Sequence, residues 1–338
     1  MTARRAWPVL VLAALAAWPW VAPRYFVFLA SLVLVNVVVA IGLNLMAGYT
    51  NQLSFGHAGF LAIGAYVAAL LTIHAPAVPV VVTLLLAGAF TAAVGLAFGM
   101  PCLRLGGLYL SMATLAFGFV ITEAILNLDT LTKGADGLRV PALHLGGFGA
   151  LGDTGRYYLT AVTAALMVAA AVNVVRTRTG RAFLAIRESE IAAQASGVPV
   201  AAYKTAAFGL SAFYTGVAGG LFAFVVGFLS PDAFDVFLSV DFVVMIVVGG
   251  LGSVPGSILG AAVVTVLYDW LAAFQNYRPL IFGGILIACM LFMPGGIVRA
   301  LARIVTWGAP TWPPTPPAPQ RSGRPGEAVA PLDTRRRT

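Results

Sequence analysis

Between Tyr25 and Leu103 the chain contains no aspartate, glutamate, lysine or arginine. A soluble fold could not shield so long an uncharged run from water, whereas a bilayer accommodates it as about three helices at roughly 20 residues per crossing. The whole chain agrees, with 60% of its residues hydrophobic and only 9% charged. These features define an all-α, polytopic membrane protein.

Further apolar runs extend the pattern. Read from the N-terminus, the spans are Trp7–Val21, Phe26–Ala47, Ala58–Ile73, Val78–Met100, Leu105–Leu126, Tyr157–Val175, Thr205–Leu229, Val236–Gly250, Gly256–Phe274 and Leu280–Ile297. This predicts about ten transmembrane helices, within a range of about 8–10. The first run follows Arg4 and Arg5 and reads either as a signal peptide or as a first anchor, although Trp18, Pro19 and Trp20 spoil a small-residue cleavage site. An even number of crossings that starts inside puts Arg4, Arg5, Arg104, the segment Arg176–Lys204, Arg299 and Arg303 on the cytoplasmic face, as the positive-inside rule requires. The outer face receives Leu128–Arg156 and Ser230–Ser239. The net charge of +8 is thereby explained by cytoplasmic loops, without a nucleic-acid partner.

Several chemistries are excluded. Cys102 and Cys289 have no CxxC spacing, and His57, His74 and His144 are scattered, so neither a disulfide framework nor a metal site is expected. Lys204 precedes Thr205 but no glycine-rich loop leads into it, so the chain does not hydrolyse ATP through a phosphate-binding loop. No cofactor is implied and no enzymatic constellation is visible within the spans.

Two stretches interrupt the helical pattern, Ala47–Gly59 (AGYTNQLSFGHAG) and Gly249–Gly256 (GGLGSVPG). Irregular backbone at membrane depth survives only where protein or a watery cavity satisfies it, so either stretch could line a pathway. Gly95/Gly99, Gly216/Gly220 and Gly256/Gly260 form small-xxx-small faces suited to close helix packing. After Thr306 the sequence turns rich in proline and arginine, which predicts a permease domain over residues 1–305 and a disordered tail over 306–338.

The segment Arg176–Lys204 carries five basic and two acidic residues between uncharged flanks. It is too long and too amphipathic for a plain connection and reads as a docking surface or an interfacial helix. Arg187, Glu188, Glu190, Ala192, Ala193 and, four residues on, Gly197 resemble the EAA loop of ABC importer permeases, a short cytoplasmic helix followed by glycine that sits in a groove of the ATPase subunit.

Six further pieces occur in one order: IGLNLMAGYTNQLSFGHAGFLAIGAYVAALLT (Ile41–Thr72), LRLGGLYLSMATLAFGF (Leu103–Phe119), LTKGADGL (Leu131–Leu138), GFLSPDAF (Gly227–Phe234), VVMIVVGGLGSVPGSILGAA (Val243–Ala262) and YRPLIFGGILIACMLFMPGGI (Tyr277–Ile297). Over roughly residues 25–303 the chain resembles the LivM-type permeases of branched-chain amino-acid ABC importers. The resemblance implies an ABC importer permease fold in a bacterial inner membrane. It also implies a LivH-type permease partner, two ABC ATPase subunits and a periplasmic substrate-binding protein, with membrane lipid around the spans. The chain departs from the pattern at Asn51, where glycine is usual, at Phe119, where an acid is common, and at Val254-Pro255 in place of Leu-Trp. Related systems carry urea, amides or aromatic acids, so the substrate class extends from branched-chain amino acids to those.

Asn44, Gln52, Ser54 and His57 surround the first interruption and are candidates either for contact with a translocating amino acid or for helix caps and turns. Glu123 and Asp269 fall near outer helix ends, and Asp241 reads as an N-terminal dipole partner. An ion-coupled secondary transporter is the rival reading, and it would favour more buried acids near the bilayer midplane.

Overall fold

The structure, a computed structural model, describes residues 16–102, 107–141 and 151–274 and a few positions between 280 and 298. Outside the described residues lie Arg4 and Arg5, most of the first apolar run, Arg104, His144, Cys289, Arg299, Arg303 and the tail. So does most of the last span, Leu280–Ile297.

The described chain is built from helices α1 (Arg24–Thr50), α2 (His57–His74), α3 (Val80–Cys102), α4 (Leu108–Asn127), α5 (Asp153–Arg176), α6 (Arg178–Glu188), α7 (Glu190–Ala195), α8 (Val200–Val226), α9 (Val236–Gly249) and α10 (Val254–Trp270). Six of them, α1 to α5 and α8, are long and apolar enough to cross a membrane. The apolar helices α9 and α10 are shorter, at 14 and 17 residues. At about 1.5 Å per residue, α9 extends only about 21 Å. It therefore stops short of the roughly 30 Å hydrocarbon thickness.

Helix α8 is the centre of the bundle, packed against α1, α2 and α3. Close approach there depends on missing side chains: a Cβ at Gly64 would collide with the Gly216 backbone, and one at Gly219 with the Leu61 carbonyl. The three small-xxx-small faces are all used. Gly95 and Gly99 of α3 receive Ala212 and Phe208 of α8, Gly216 and Gly220 receive Thr91 and Leu84, and Gly256 and Gly260 receive the end of α9. Without a hydrophobic driving force between helices in lipid, such backbone contact supplies the dispersion energy of association. By contrast α5 is mostly exposed.

Residues assigned to the outer face meet one another. The Tyr25 hydroxyl donates to Asp269 at 2.5 Å, Trp20 Nε1 donates to the Tyr158 hydroxyl at 2.9 Å, and Leu138–Arg139 (β1) pairs antiparallel with Phe228–Leu229 (β2). This small bridge joins LTKGADGL to GFLSPDAF, two motifs far apart in sequence.

Two expectations are corrected. Helix α1 continues to Thr50, which shortens the first interruption to Asn51–Gly56. Asp241 lies beyond the first turn of α9; Asp235 caps that helix, its carboxylate accepting from the Leu238 N–H at 2.9 Å. The Val254-Pro255 departure is conformationally apt, because proline falls in the first turn of α10, where its missing N–H costs nothing.

Candidate functional site

The break between α1 and α2 turns Gln52, Ser54 and Gly56 into the bundle and leaves Asn51 and Leu53 exposed. Asn51 takes φ 56°, the left-handed region that asparagine tolerates better than other side chains, which accounts for its presence where the resemblance led to glycine. The following backbone is satisfied by hydroxyls from several helices. Thr114 Oγ1 of α4 accepts from the Phe55 N–H at 3.1 Å, and Ser111 Oγ donates to the Leu53 carbonyl at 3.1 Å. Ser54 Oγ accepts from the Gly56 N–H at 3.3 Å, and Ser239 Oγ of α9 accepts from the Ala58 N–H at 2.9 Å. The last of these occupies an amide that the first turn of α2 leaves without an intrahelical partner, and the others satisfy the break that leads into it.

His57, 1% exposed, bridges this network with Nδ1 3.2 Å from Ser54 Oγ and Nε2 2.7 Å from Ser211 Oγ. Ser211 stands near the middle of the 27-residue α8, so α2 starts inside the bundle. Gln52 donates from Nε2 to Thr50 Oγ1 at 2.7 Å, while its buried Oε1 has no partner among the described residues. The structure thus brings Gln52, Ser54 and His57 together.

Asn44 belongs to a different arrangement. It sits on α1 opposite the second break, where Gly250 and Gly252 take φ 123° and 74° between α9 and α10. Its Oδ1 accepts from the Gly252 N–H at 2.8 Å, and its Nδ2 donates to the Ser253 carbonyl at 3.0 Å and to Ser257 Oγ at 2.7 Å. One amide side chain, 1% exposed, therefore takes the Gly252 N–H and adds a bond to the Ser253 carbonyl, which also accepts from the Ser257 N–H at 3.0 Å.

Helices α6 and α7 form the amphipathic pair expected over Arg176–Lys204. Phe183, Ile186 and Ala193 are buried and anchor it, with the Phe183 ring edge-on to Tyr203 at 6.2 Å. Ser189 caps α7 by accepting from the Ala192 N–H at 3.2 Å, and Glu190 pairs with Lys204 at 2.5 Å. Gly197 ends the pair at φ 82° with open space around its Cα, a conformation that glycine adopts freely. Glu188, Glu190, Ala192 and Gly197 are exposed, Ala193 faces inward, and Arg187 is half-buried against Gly252. Sequence reasoning missed Ile191, 84% exposed on α7, and the hydroxyls of Ser211, Ser239, Ser253 and Ser257. Single serines in apolar spans were their only signal.

Long apolar helices, polar breaks buried among them and an amphipathic pair at one end define a multi-pass membrane permease subunit. The family model for the branched-chain amino acid transport system / permease component matches residues 25–293, and the chain belongs to that family. The high-affinity branched-chain amino acid transport system permease protein LivM of Salmonella typhimurium is 34% identical over 83% of this chain and 72% of its own length. LivM of Escherichia coli is 34% identical over 86% and 73%. The LivH permease of Escherichia coli is 26% identical over 77% and 90%. These relatives are transport components and not enzymes. No solved structure matches.

Proposed function

We propose that this chain forms one half of the transmembrane path of an ATP-driven importer for branched-chain amino acids or closely related small amino acids and amides. The family match over residues 25–293 carries the reading. Its partners in this reading are a LivH-type permease, two ABC ATPase subunits and a periplasmic substrate-binding protein. The permease domain spans residues 1–305 with about ten crossings, followed by a tail over 306–338. Substrate selection falls mainly to the soluble receptor, because a path that must release its cargo holds it weakly.

The α6–α7 pair is the proposed ATPase contact, supported by the outward placement of Glu188, Ile191 and Ala192 and by the turn at Gly197. The first break is the proposed pathway element: Gln52 Oε1 is the acceptor left over for a substrate ammonium, with Ser54 and His57 holding the segment that follows it and Asn44 holding the second break beside the same helix. Uptake of radiolabelled leucine by proteoliposomes of the co-expressed complex tests the function. Leucine-dependent ATP hydrolysis is expected. Its absence, with robust uptake of urea or acetamide through the cognate receptor, would replace the substrate class. Loss of ATPase co-purification on Gly197→Trp or Glu190→Lys is expected for the docking pair, and reduced uptake with intact assembly is expected for Gln52→Ala.

A further inference from the structure

Arg187 was grouped above with the docking residues by its place in sequence, but its side chain runs the other way. The position a Cβ would occupy on Gly252 is bounded by Arg187 Nη1 and, at 3.0 Å, by the Gly48 carbonyl oxygen. The guanidinium thus rests on the second break where glycine leaves it room.

Two helices end at this point. α1 stops at Thr50, two residues beyond Gly48, and α9 stops at Gly249, just before the break. Each presents unpaired carbonyls and the negative end of its dipole there, a setting that favours a cation. A guanidinium is suited to it, being permanently charged and carrying five donors in a plane. Asn44 holds the same few residues, with three hydrogen bonds to Gly252, Ser253 and Ser257. A continuous path therefore runs from buried Phe183 and Ile186 on α6, through Arg187, to the Gly250–Ser253 turn, and from there through Asn44 into the fully buried half of α1.

We propose that Arg187 is a positioning residue that ties the α6–α7 pair to the Gly250–Ser253 break, so that displacement of the pair by a partner is passed to α1 at Asn44. This rests on the reading of α6–α7 as the ATPase contact. Arg187 itself does not touch the ATPase; it transmits movement inward. A short glycine turn bonded by Asn44 and packed against Arg187 follows its neighbours, whereas a long helix held along its length would resist. Such a contiguous contact chain can carry coupling only if both of its ends move.

The test uses the complete complex, with spin labels at Ile191→Cys and Leu251→Cys in a Cys102/Cys289-free background. The distance between the labels is measured with and without bound nucleotide. In the parent the two sites move together, so the distance distribution keeps its width and centre. Arg187→Ala broadens and shifts it on nucleotide binding, and lowers leucine uptake about tenfold, the scale of a typical coupling free energy. Arg187→Lys, which keeps the charge, restores part of both. ATPase subunits still co-purify with Arg187→Ala but not with Gly197→Trp.

An unchanged distance distribution in Arg187→Ala would overturn the proposal, as would separation of the two sites in the parent. Loss of the ATPase subunits from Arg187→Ala would also overturn it, because the arginine would then belong to the docking surface. Retention of the ATPase in Gly197→Trp instead counts against the docking reading, and the spin-label distances then judge the tie between α6 and the break separately.

Discussion

The two interruptions of this bundle solve one physical problem in different ways. Both expose backbone amides and carbonyls away from water, where an unsatisfied group costs about 1–3 kcal/mol. The Asn51–Gly56 break and the helix start after it distribute that burden over four hydroxyls, Thr114 and Ser111 of α4, Ser239 of α9 and Ser54 of the break itself, each taking one bond. The Gly250–Ser253 break relies largely on Asn44, backed by the Ser253 cap on α10. Distributed satisfaction tolerates the loss of a member, and concentrated satisfaction does not. The first break is thus robust and the second depends on one side chain.

That difference predicts a graded series, read as unfolding free energies of the purified chain in detergent titrated with dodecyl sulfate. Asn44→Ala is expected to cost the most, about 4 kcal/mol, because it strands the Gly252 N–H, removes two further bonds to Ser253 and Ser257, which keep each other as partners, and leaves a void at a fully buried position. A cost near that of one ordinary hydrogen bond would show that water or a shifted side chain replaces the amide, and the contrast between the breaks would fail. Gly252→Ala follows at about 3 kcal/mol, combining left-handed strain with overpacking against Arg187 and Gly48.

His57→Ala is expected to cost about 2 kcal/mol, from the void left by the ring and from the Ser211 hydroxyl it leaves behind. Ser54→Ala should cost only about 1 kcal/mol, since its neighbours still hold the segment. If it proves as damaging as Asn44→Ala, the first break is no more distributed than the second. At the bottom of the series, Asn51→Gly should change stability by no more than about 0.5 kcal/mol, because relief of the left-handed strain offsets the greater freedom of glycine in the unfolded chain. A large loss there would mean that the Asn51 side chain makes a contact the exposed position does not suggest.

Much of this was legible before any coordinates. The charge-free run, the small-xxx-small faces, the two interruptions and the amphipathic segment each occupy consecutive positions, and each maps onto a helix, a helix contact, a break or the α6–α7 pair. Asp241 was misjudged as an N-terminal dipole partner because a carboxylate near a helix start looks the same in sequence whether it caps or lies a turn inside. Asp235 holds the cap, and only its bond to the Leu238 N–H distinguishes the two. Arg187 was read together with Glu188, Glu190, Ala192, Ala193 and Gly197 because it adjoins them in sequence. A single residue of rotation around α6 separates the outward Glu188 from a guanidinium that turns inward onto Gly252.

By itself the sequence determined that the chain is an all-helical membrane protein with a polar segment between uncharged spans, since hydropathy, charge asymmetry and glycine spacing are properties of adjacent residues, and its ordered motifs carried the resemblance to a permease family. Only the tertiary structure decided which polar side chains serve which break. Asn44 finds its partners some two hundred residues away, at Gly252, Ser253 and Ser257, and His57 finds Ser211 on another helix. A buried polar group must be satisfied by whatever the packing brings beside it, and in a helical bundle that neighbour is set by which helix faces approach, not by distance along the chain.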